Sequence, residues 1–303
     1  MTQVLENTRY RSMIGNLWSK LAAVPMIATA LIVFIGCSLW SVVYSFTDSR
    51  LLPRTNFIGT AQYERLFDTP RWQQAIENIV VFGLLSLVFS MLVGFLLAVA
   101  LDQKIRFENT FRTIFLYPFS LSFIVTGLVW QWLLNADFGI AEVVRNMGFT
   151  QFELTILSSR EFAIYAVVVA GLWQGTGFVM ALMLAGLRSI DQDIWKAARV
   201  DGIPAWRTYL FIVIPMMRPV IITTLVIVSA GIVKAYDLVV ALTNGGPGVS
   251  SDLPAKYVFD YMFGRSNVAQ ALAASTVMLS TVLIILVPWA LLEFGKKRDA
   301  HRA

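Results

Sequence analysis

Asp193-Ile-Trp-Lys-Ala-Ala-Arg-Val-Asp-Gly-Ile-Pro-Ala-Trp-Arg-Thr-Tyr-Leu-Phe-Ile-Val-Ile-Pro215 is an amphipathic run set between two long apolar stretches. A soluble domain seldom needs such a segment, and a simple membrane anchor has no use for one. The spacing predicts two short helices. The first covers 191–201, with Asp191 and Asp193 in its opening turn, where carboxylates meet the positive end of the helix dipole. Gly202 supplies the break, and Pro204 opens the second helix, where its missing N–H costs nothing. Pro215 and Pro219 then set an angle before the next apolar helix.

Working outward, the composition is that of a polytopic membrane protein. Of 303 residues, 57% are hydrophobic and 14% charged, and the mean hydropathy is +0.68. Six apolar regions are long enough to cross a hydrocarbon core: 24–46, 76–101, 111–134, 162–187, 220–242 and 271–292. Backbone polar groups in lipid must be satisfied internally, so each region should be a helix. The alternation of a membrane barrel is absent. The expected class is an all-α integral membrane protein with six transmembrane helices.

Basic residues suggest the orientation. With both termini in the cytoplasm, the inner segments hold fifteen Lys and Arg: Arg9, Arg11 and Lys20; Lys104, Arg106 and Arg112; Arg188, Lys196, Arg199, Arg207 and Arg218; Lys296, Lys297, Arg298 and Arg302. The three outer loops hold eight, which favours N-in, C-in. The net charge of +5 is therefore mostly a topology signal, and its scatter over loops argues against a nucleic-acid surface. Cys37 is the only cysteine and His301 the only histidine, so neither a disulfide framework nor a His or thiolate metal site is expected. The first apolar region reads as an uncleaved signal anchor. Phe34-Ile-Gly-Cys37 misses a lipoprotein cleavage box and reads as a small residue within that helix.

Ala197-Ala198, Asp201-Gly202 and Ile214-Pro215 resemble the EAA signature, the cytoplasmic loop of permease subunits in binding-protein-fed bacterial ABC importers. A further stretch, Lys234-Ala-Tyr-Asp-Leu-Val-Val-Ala-Leu-Thr-Asn-Gly-Gly-Pro-Gly248, is similar to the end of the fifth helix in carbohydrate permeases of the maltose type. Asp252-Leu-Pro-Ala255 through Phe263 and Arg265 resembles the glucose and glycoside importers of that branch, and Phe57 to Tyr63 followed by Pro70 to Asn78 resembles the family's sugar-importing branch. The resemblance implies a type I ABC importer permease fold. Its parts would be a cytoplasmic segment 1–23, a transmembrane domain 24–293 with a coupling loop 188–218, and a tail 294–303. It also implies a bacterial inner-membrane location, a second homologous permease, two ATPase subunits and a periplasmic sugar-binding protein. No Walker A pattern occurs, so ATP and Mg would be bound by the partner ATPase and no cofactor by this chain. One departure stands out: the signature's opening Glu is here Lys196, which reverses any ion pair that the family's Glu makes.

The loop's first helix is expected to dock in a groove of the ATPase. Trp195, Ala198 and Val200 would form the docking surface, Ala197 and Ala198 would allow close approach, and Lys196, Arg199 and Arg207 would meet acids. The plainer alternative is an interfacial helix lying on anionic membrane lipid. Apart from Arg112 at the edge of the third, Lys234 is the only basic residue inside an expected span, and Asp237 follows at i+3. They either pair with each other or line the path. Carried over from the resemblance, the sugar-lining positions fall on Gln174, Gly175 and Phe178, and on Val228, Gly231, Ile232 and Ala235, with Trp173 and Tyr236 nearby. The second set forms one helix face. Gly127, Gly171, Gly175 and Gly177 suit close helix crossings, and Trp130 and Trp132 an interfacial belt. The outer loop 135–161 is long enough to meet a periplasmic partner. A self-sufficient carrier or channel using Lys234 and Asp237 is the alternative function. Such carriers often show inverted repeats and broken helices, and the sequence displays neither.

Overall fold

The computed structural model describes residues 22–103 and 105–300, with side chains described to Leu291. Arg9, Arg11, Lys20, Lys104, His301 and Arg302 lie outside the described residues. Among the described residues the fold is helical, apart from one isolated antiparallel bridge between Thr47 and Phe57.

Four helices are long and apolar enough to cross a membrane unbroken: α1 (Ala22–Tyr44), α3 (Pro70–Asp102), α7 (Ala163–Arg188) and α13, whose described span is Val268–Leu291. Between α1 and α3 lies the short helix α2 (Ala61–Asp68). α3 and α7 form the centre of the molecule. Where they cross, a Cβ on Gly94 would come within 2.7 Å of Val179, so only glycine permits this approach.

The third and fifth spans are not the continuous helices that the apolar runs suggest. The third consists of α4 (Glu108–Leu116), a 3-10 turn at Tyr117–Ser120, and α5 (Phe123–Leu133), with a 99° bend. Pro118 lies in the turn, and the Ser122 hydroxyl caps α5 by accepting from the Ile124 N–H. Beyond α5, the long loop carries α6 (Ile140–Asn146), and the Arg145 guanidinium donates to the carbonyls of Ala136, Asp137 and Phe152.

α8 (Gln192–Val200) and α9 (Ala205–Met216) form the linking run, followed by α10 (Arg218–Val233). The bend between α9 and α10 is 71°, located at Met217 between Pro215 and Pro219. A second interruption at Lys234–Tyr236 separates α10 from α11 (Asp237–Leu242). Lys234 and Asp237 thus sit on either side of a break, not one turn apart on one helix. After α11 come α12 (Pro254–Phe259), which runs on as a π-turn to Gly264, and then α13. The two displaced pieces find each other. α5 packs on α11, and a Cβ on Gly127 would lie 2.5 Å from the Ala241 Cβ.

Candidate functional site

At one end of the molecule, the linking run forms a shelf beside the ends of α3, α4 and α7. Asp191 caps α8, its carboxylate accepting from the Asp193 N–H at 2.9 Å. Asp201 closes the helix, and Gly202 turns the chain at φ 68°. A side chain there would meet nothing within 4 Å, so the glycine is required by backbone geometry and not by crowding.

The two faces of α8 have different partners. Trp195 turns inward to Tyr209, ring centroids 5.4 Å apart, and Ala198 is buried. Both border the cavity described below, while Val200, the third residue expected in the docking surface, lies outside it. Lys196, Ala197 and Val200 face away, and Val200 is 86% exposed; Arg199 is exposed but borders the cavity on the inner side. Lys196 Nζ donates to Asp193 at 2.7 Å on the same helix. Between the shelf and the span ends is a cavity of about 930 Å3, whose walls include Asp102, Glu108, Arg188, Trp195, Arg199 and Tyr209. Arg188 ties its rim together, reaching Glu108 at 2.6 Å and Asp102 at 3.6 Å, while Gln103 donates to the Tyr209 hydroxyl at 3.0 Å. Pro215 sits exposed in α9 just before the 71° bend.

The positions suggested for a substrate path lie deeper and divide into two groups. Gln174 is fully buried, and its Nε2 donates to the Leu121 carbonyl at 2.7 Å. That carbonyl belongs to the break in the third span, where a helix would have supplied its partner. Phe178 stacks on Phe119 at 4.7 Å, and a Cβ on Gly177 would overlap the Phe115 carbonyl. Gln174, Gly177 and Phe178 thus clasp the bent segment. Gly175 has open space beside it, unlike Gly127 and Gly177, so it makes no close crossing, and Gly171 shows ordinary contact distances.

Val228, Gly231 and Ile232 share α10, whereas Ala235 falls beyond its end, so the expected four-residue stripe is cut short. Gly231 also borders open space. Lys234 and Asp237 are exposed, and no ion pair joins them among the described residues. Tyr236 packs on Phe259 at 5.0 Å, Trp173 and Trp130 meet edge to face, and Trp132 is 62% exposed, as an interfacial belt requires.

The opposite end holds a cluster that the sequence did not reveal. Arg71, at the start of α3, donates to Asp252 at 2.6 Å and also to Asp260, which receives Lys256 Nζ at 2.6 Å. Asn78 donates to the Asp252 carbonyl, and Trp72 packs edge-on against Tyr257. The Asp252 side chain is only 1% exposed. Burial pushes its carboxyl above the usual range against the pull of Arg71. Asp260 is shallower; burial works upward there too, but hydrogen bonds from Arg71 and Lys256 hold it below the ordinary value. The partners are separated by 181 and 189 residues, so no local motif announces them.

Comparison with known proteins places this geometry. The family described as "Binding-protein-dependent transport system inner membrane component" matches residues 90–294. A probable ABC transporter permease protein of Pyrococcus horikoshii is 34% identical over 252 residues, covering 82% of this chain and 86% of the relative. The xylose/arabinose import permease protein of Haloferax volcanii is 30% identical over 275 residues, covering 89% and 86%. A chain of the bacterial alginate ABC transporter, solved in complex with an alginate pentasaccharide-bound periplasmic protein, has the same fold. Its TM-score is 0.78 at 21% identity, covering 92% of this chain and 94% of that one. The chain belongs to the family of binding-protein-dependent transport system inner membrane components, as an ABC importer permease subunit that spans the membrane several times.

Proposed function

We propose that the chain is the permease subunit of a carbohydrate importer, and that the 188–218 loop couples it to ATP hydrolysis on partner ATPase subunits. The observation that carries the coupling role is the two-faced α8. Trp195 packs on Tyr209 of α9 and Ala198 is buried, which leaves Lys196, Ala197 and Val200 presented at the end of the molecule, with Arg199 exposed at the cavity's edge. A helix held on one side and free on the other is suited to receive a partner's push and pass it on through Arg188 to α7. ATP and Mg belong to the ATPase; this chain binds neither. With the coupling loop on the cytoplasmic side, a second homologous permease closes the path along α7 and α10, where Gly175 and Gly231 leave room. A periplasmic sugar-binding protein delivers cargo at the other end. The sugar class rests on the relatives, one named for pentose import and one solved with an oligosaccharide-loaded periplasmic protein.

Crosslinking tests the coupling role. In a Cys37→Ser background, Val200→Cys should form a crosslink to a co-purified ATPase, and Gly202→Leu should abolish uptake while the chain still inserts. An accessible Val200→Cys that reaches no ATPase in an intact complex, or normal uptake by Gly202→Leu, would sink the reading. Uptake of labelled pentoses, hexoses and oligosaccharides by the assembled importer then defines the cargo, and transport that persists without the ATPase would favour an autonomous carrier.

A further inference from the structure

The end opposite the coupling shelf carries a second cavity, set apart from the suggested path. It is a cleft of about 430 Å3 whose walls include Arg50, Arg54, Arg65, Asp48, Gln62 and Asn267. Three arginines and one aspartate share these walls, and none of the three arginines forms an ion pair among the described residues. Like charges gathered without a counter-ion repel one another, so the arrangement favours an anion from outside the chain.

The backbone around the cleft is firmly tied. Gln62 is 3% exposed and donates to the Thr47 carbonyl at 3.0 Å. Ser49 Oγ accepts from the Arg54 N–H at 2.9 Å, and the Ser49 and Arg50 carbonyls accept from Ala269 and Val268 at the start of α13. Asp48 and Asn56 pair by backbone and side chain, beside the Thr47–Phe57 bridge. The arginines therefore spring from a pinned loop. Gln62 Oε1 and Asp48 Oδ1 are left without partners in its wall.

Three further observations identify the occupant. Arg50 lies six residues beyond Tyr44, the end of α1, and so close to where that span leaves the bilayer. Leu51 and Leu52, between the arginines, are 72% and 71% exposed, and Phe57 is 65% exposed. Arginines flanking bare leucines beside a span end match a bilayer interface, where apolar groups enter the acyl region and guanidiniums reach headgroups. None of the named wall residues comes from α7 or α10, the helices of the suggested path, which argues against cargo. A water takes up about 30 Å3 in the liquid, so the cleft is large enough for a phosphodiester with its nearest waters.

We propose that the Arg50–Arg54–Arg65 cleft binds the phosphodiester headgroup of an anionic phospholipid, with the acyl chains running beside Leu51, Leu52 and α1. The site fixes the first outer loop to the membrane. It stands independently of which cargo the importer carries.

The test is native mass spectrometry of the assembled importer, carrying this chain tagged, titrated with phosphatidylglycerol or phosphatidylcholine in detergent. Phosphatidylglycerol should be retained about tenfold more tightly. The preference should vanish in Arg50→Gln/Arg54→Gln/Arg65→Gln, survive in the triple lysine variant, and persist in Arg160→Gln, which alters another arginine. Raising salt should weaken wild-type retention of phosphatidylglycerol. Equal retention of both lipids, or a preference unchanged in the triple glutamine variant, overturns the proposal. Should that variant fail to assemble, a salt-insensitive wild-type preference overturns it as well. Displacement of the lipid by millimolar inorganic phosphate would make the cleft a free-anion site. Loss of binding-protein-stimulated ATPase with lipid preference intact would make it a protein-docking surface. Either result sets the lipid reading aside.

Discussion

The two ends of the molecule treat charge in opposite ways. At the shelf, Lys196 and Asp193 pair in open solvent and Arg188 bridges Glu108 and Asp102 along a half-open rim. At the far end, Arg71, Asp252, Lys256 and Asp260 are enclosed with Trp72 and Tyr257 between α3, α12 and the loop before α12. An exposed pair contributes about 0–1 kcal/mol and re-forms easily after it parts. A buried pair contributes little net stability but costs about 3–5 kcal/mol when one partner is removed, because the other charge stays stranded. The shelf is therefore free to change partners, whereas the far end keeps one arrangement.

The largest expected effect is at Arg71. Arg71→Met should destabilise the detergent-solubilised protein by about 3–5 kcal/mol, seen as a lower thermal midpoint, because Asp252 is left buried and unpaired. Arg71→Met/Asp252→Asn should recover a substantial part of that loss. A midpoint within experimental scatter of wild type would show that the two ends do not differ as described.

Next in size is Gln174. Gln174→Leu removes the donor for the Leu121 carbonyl inside the molecule and should cost roughly 1–3 kcal/mol. Uptake should fall more steeply than the quantity of folded protein, since the bend in the third span loses its clasp. Equal losses in both would mean that Gln174 serves stability alone.

Acid titration sharpens the contrast within the cluster. The depressed Asp260 carboxyl contributes stability that is fully present above the ordinary carboxylate value of 3.8 and is lost as pH falls through its lower folded value. Asp252 is raised, so its contribution has the opposite sign: stability declines as pH rises from 3.8 through its folded value. Asp260→Asn should flatten the acid limb of a thermal-midpoint profile, and Asp252→Asn should flatten the limb just above it. Profiles that superimpose on wild type would contradict the assignment.

The smallest effect belongs to Lys196. Lys196→Ala should shift stability by no more than about 1 kcal/mol, since its pair with Asp193 is exposed. A large stability loss would mean that the shelf is as rigid as the far end.

The contrast also explains what the sequence could disclose. Acids at the opening of α8, Gly202 as break and the Pro215–Pro219 angle are local chemistry, and all three appear where their residues imply, with Asp191 as the cap instead of a first-turn residue. The second, fourth and sixth spans were equally legible, because long apolar runs with no internal signal become long helices. Pro118 with Ser120 and Ser122 did mark the break in the third span, but the surrounding apolar run masked it. The break at Lys234–Tyr236 contains neither Gly nor Pro and leaves no such mark. Amphipathicity shows that the two faces of α8 differ without showing that Trp195 and Ala198 share the inner one. The far-end cluster depends on residues nearly two hundred positions apart, beyond the reach of any local pattern.

The unbroken fourth span gains a mechanical meaning from its jointed neighbours. With 26 residues at about 1.5 Å rise each, α7 is a stiff rod. One tip, Arg188, leads into the shelf and is paired with Glu108 at the start of α4 and Asp102 at the end of α3; partway along, Gln174 grips the elbow of the third span. A rod carries axial displacement with little loss, while an elbow converts it into rotation. A small shift at Arg188 would thus reach the elbow about 14 residues away and swing α5, together with the α11 piece locked to it at Gly127. In that linkage the broken spans are hinges, and the straight one is the connecting rod between them.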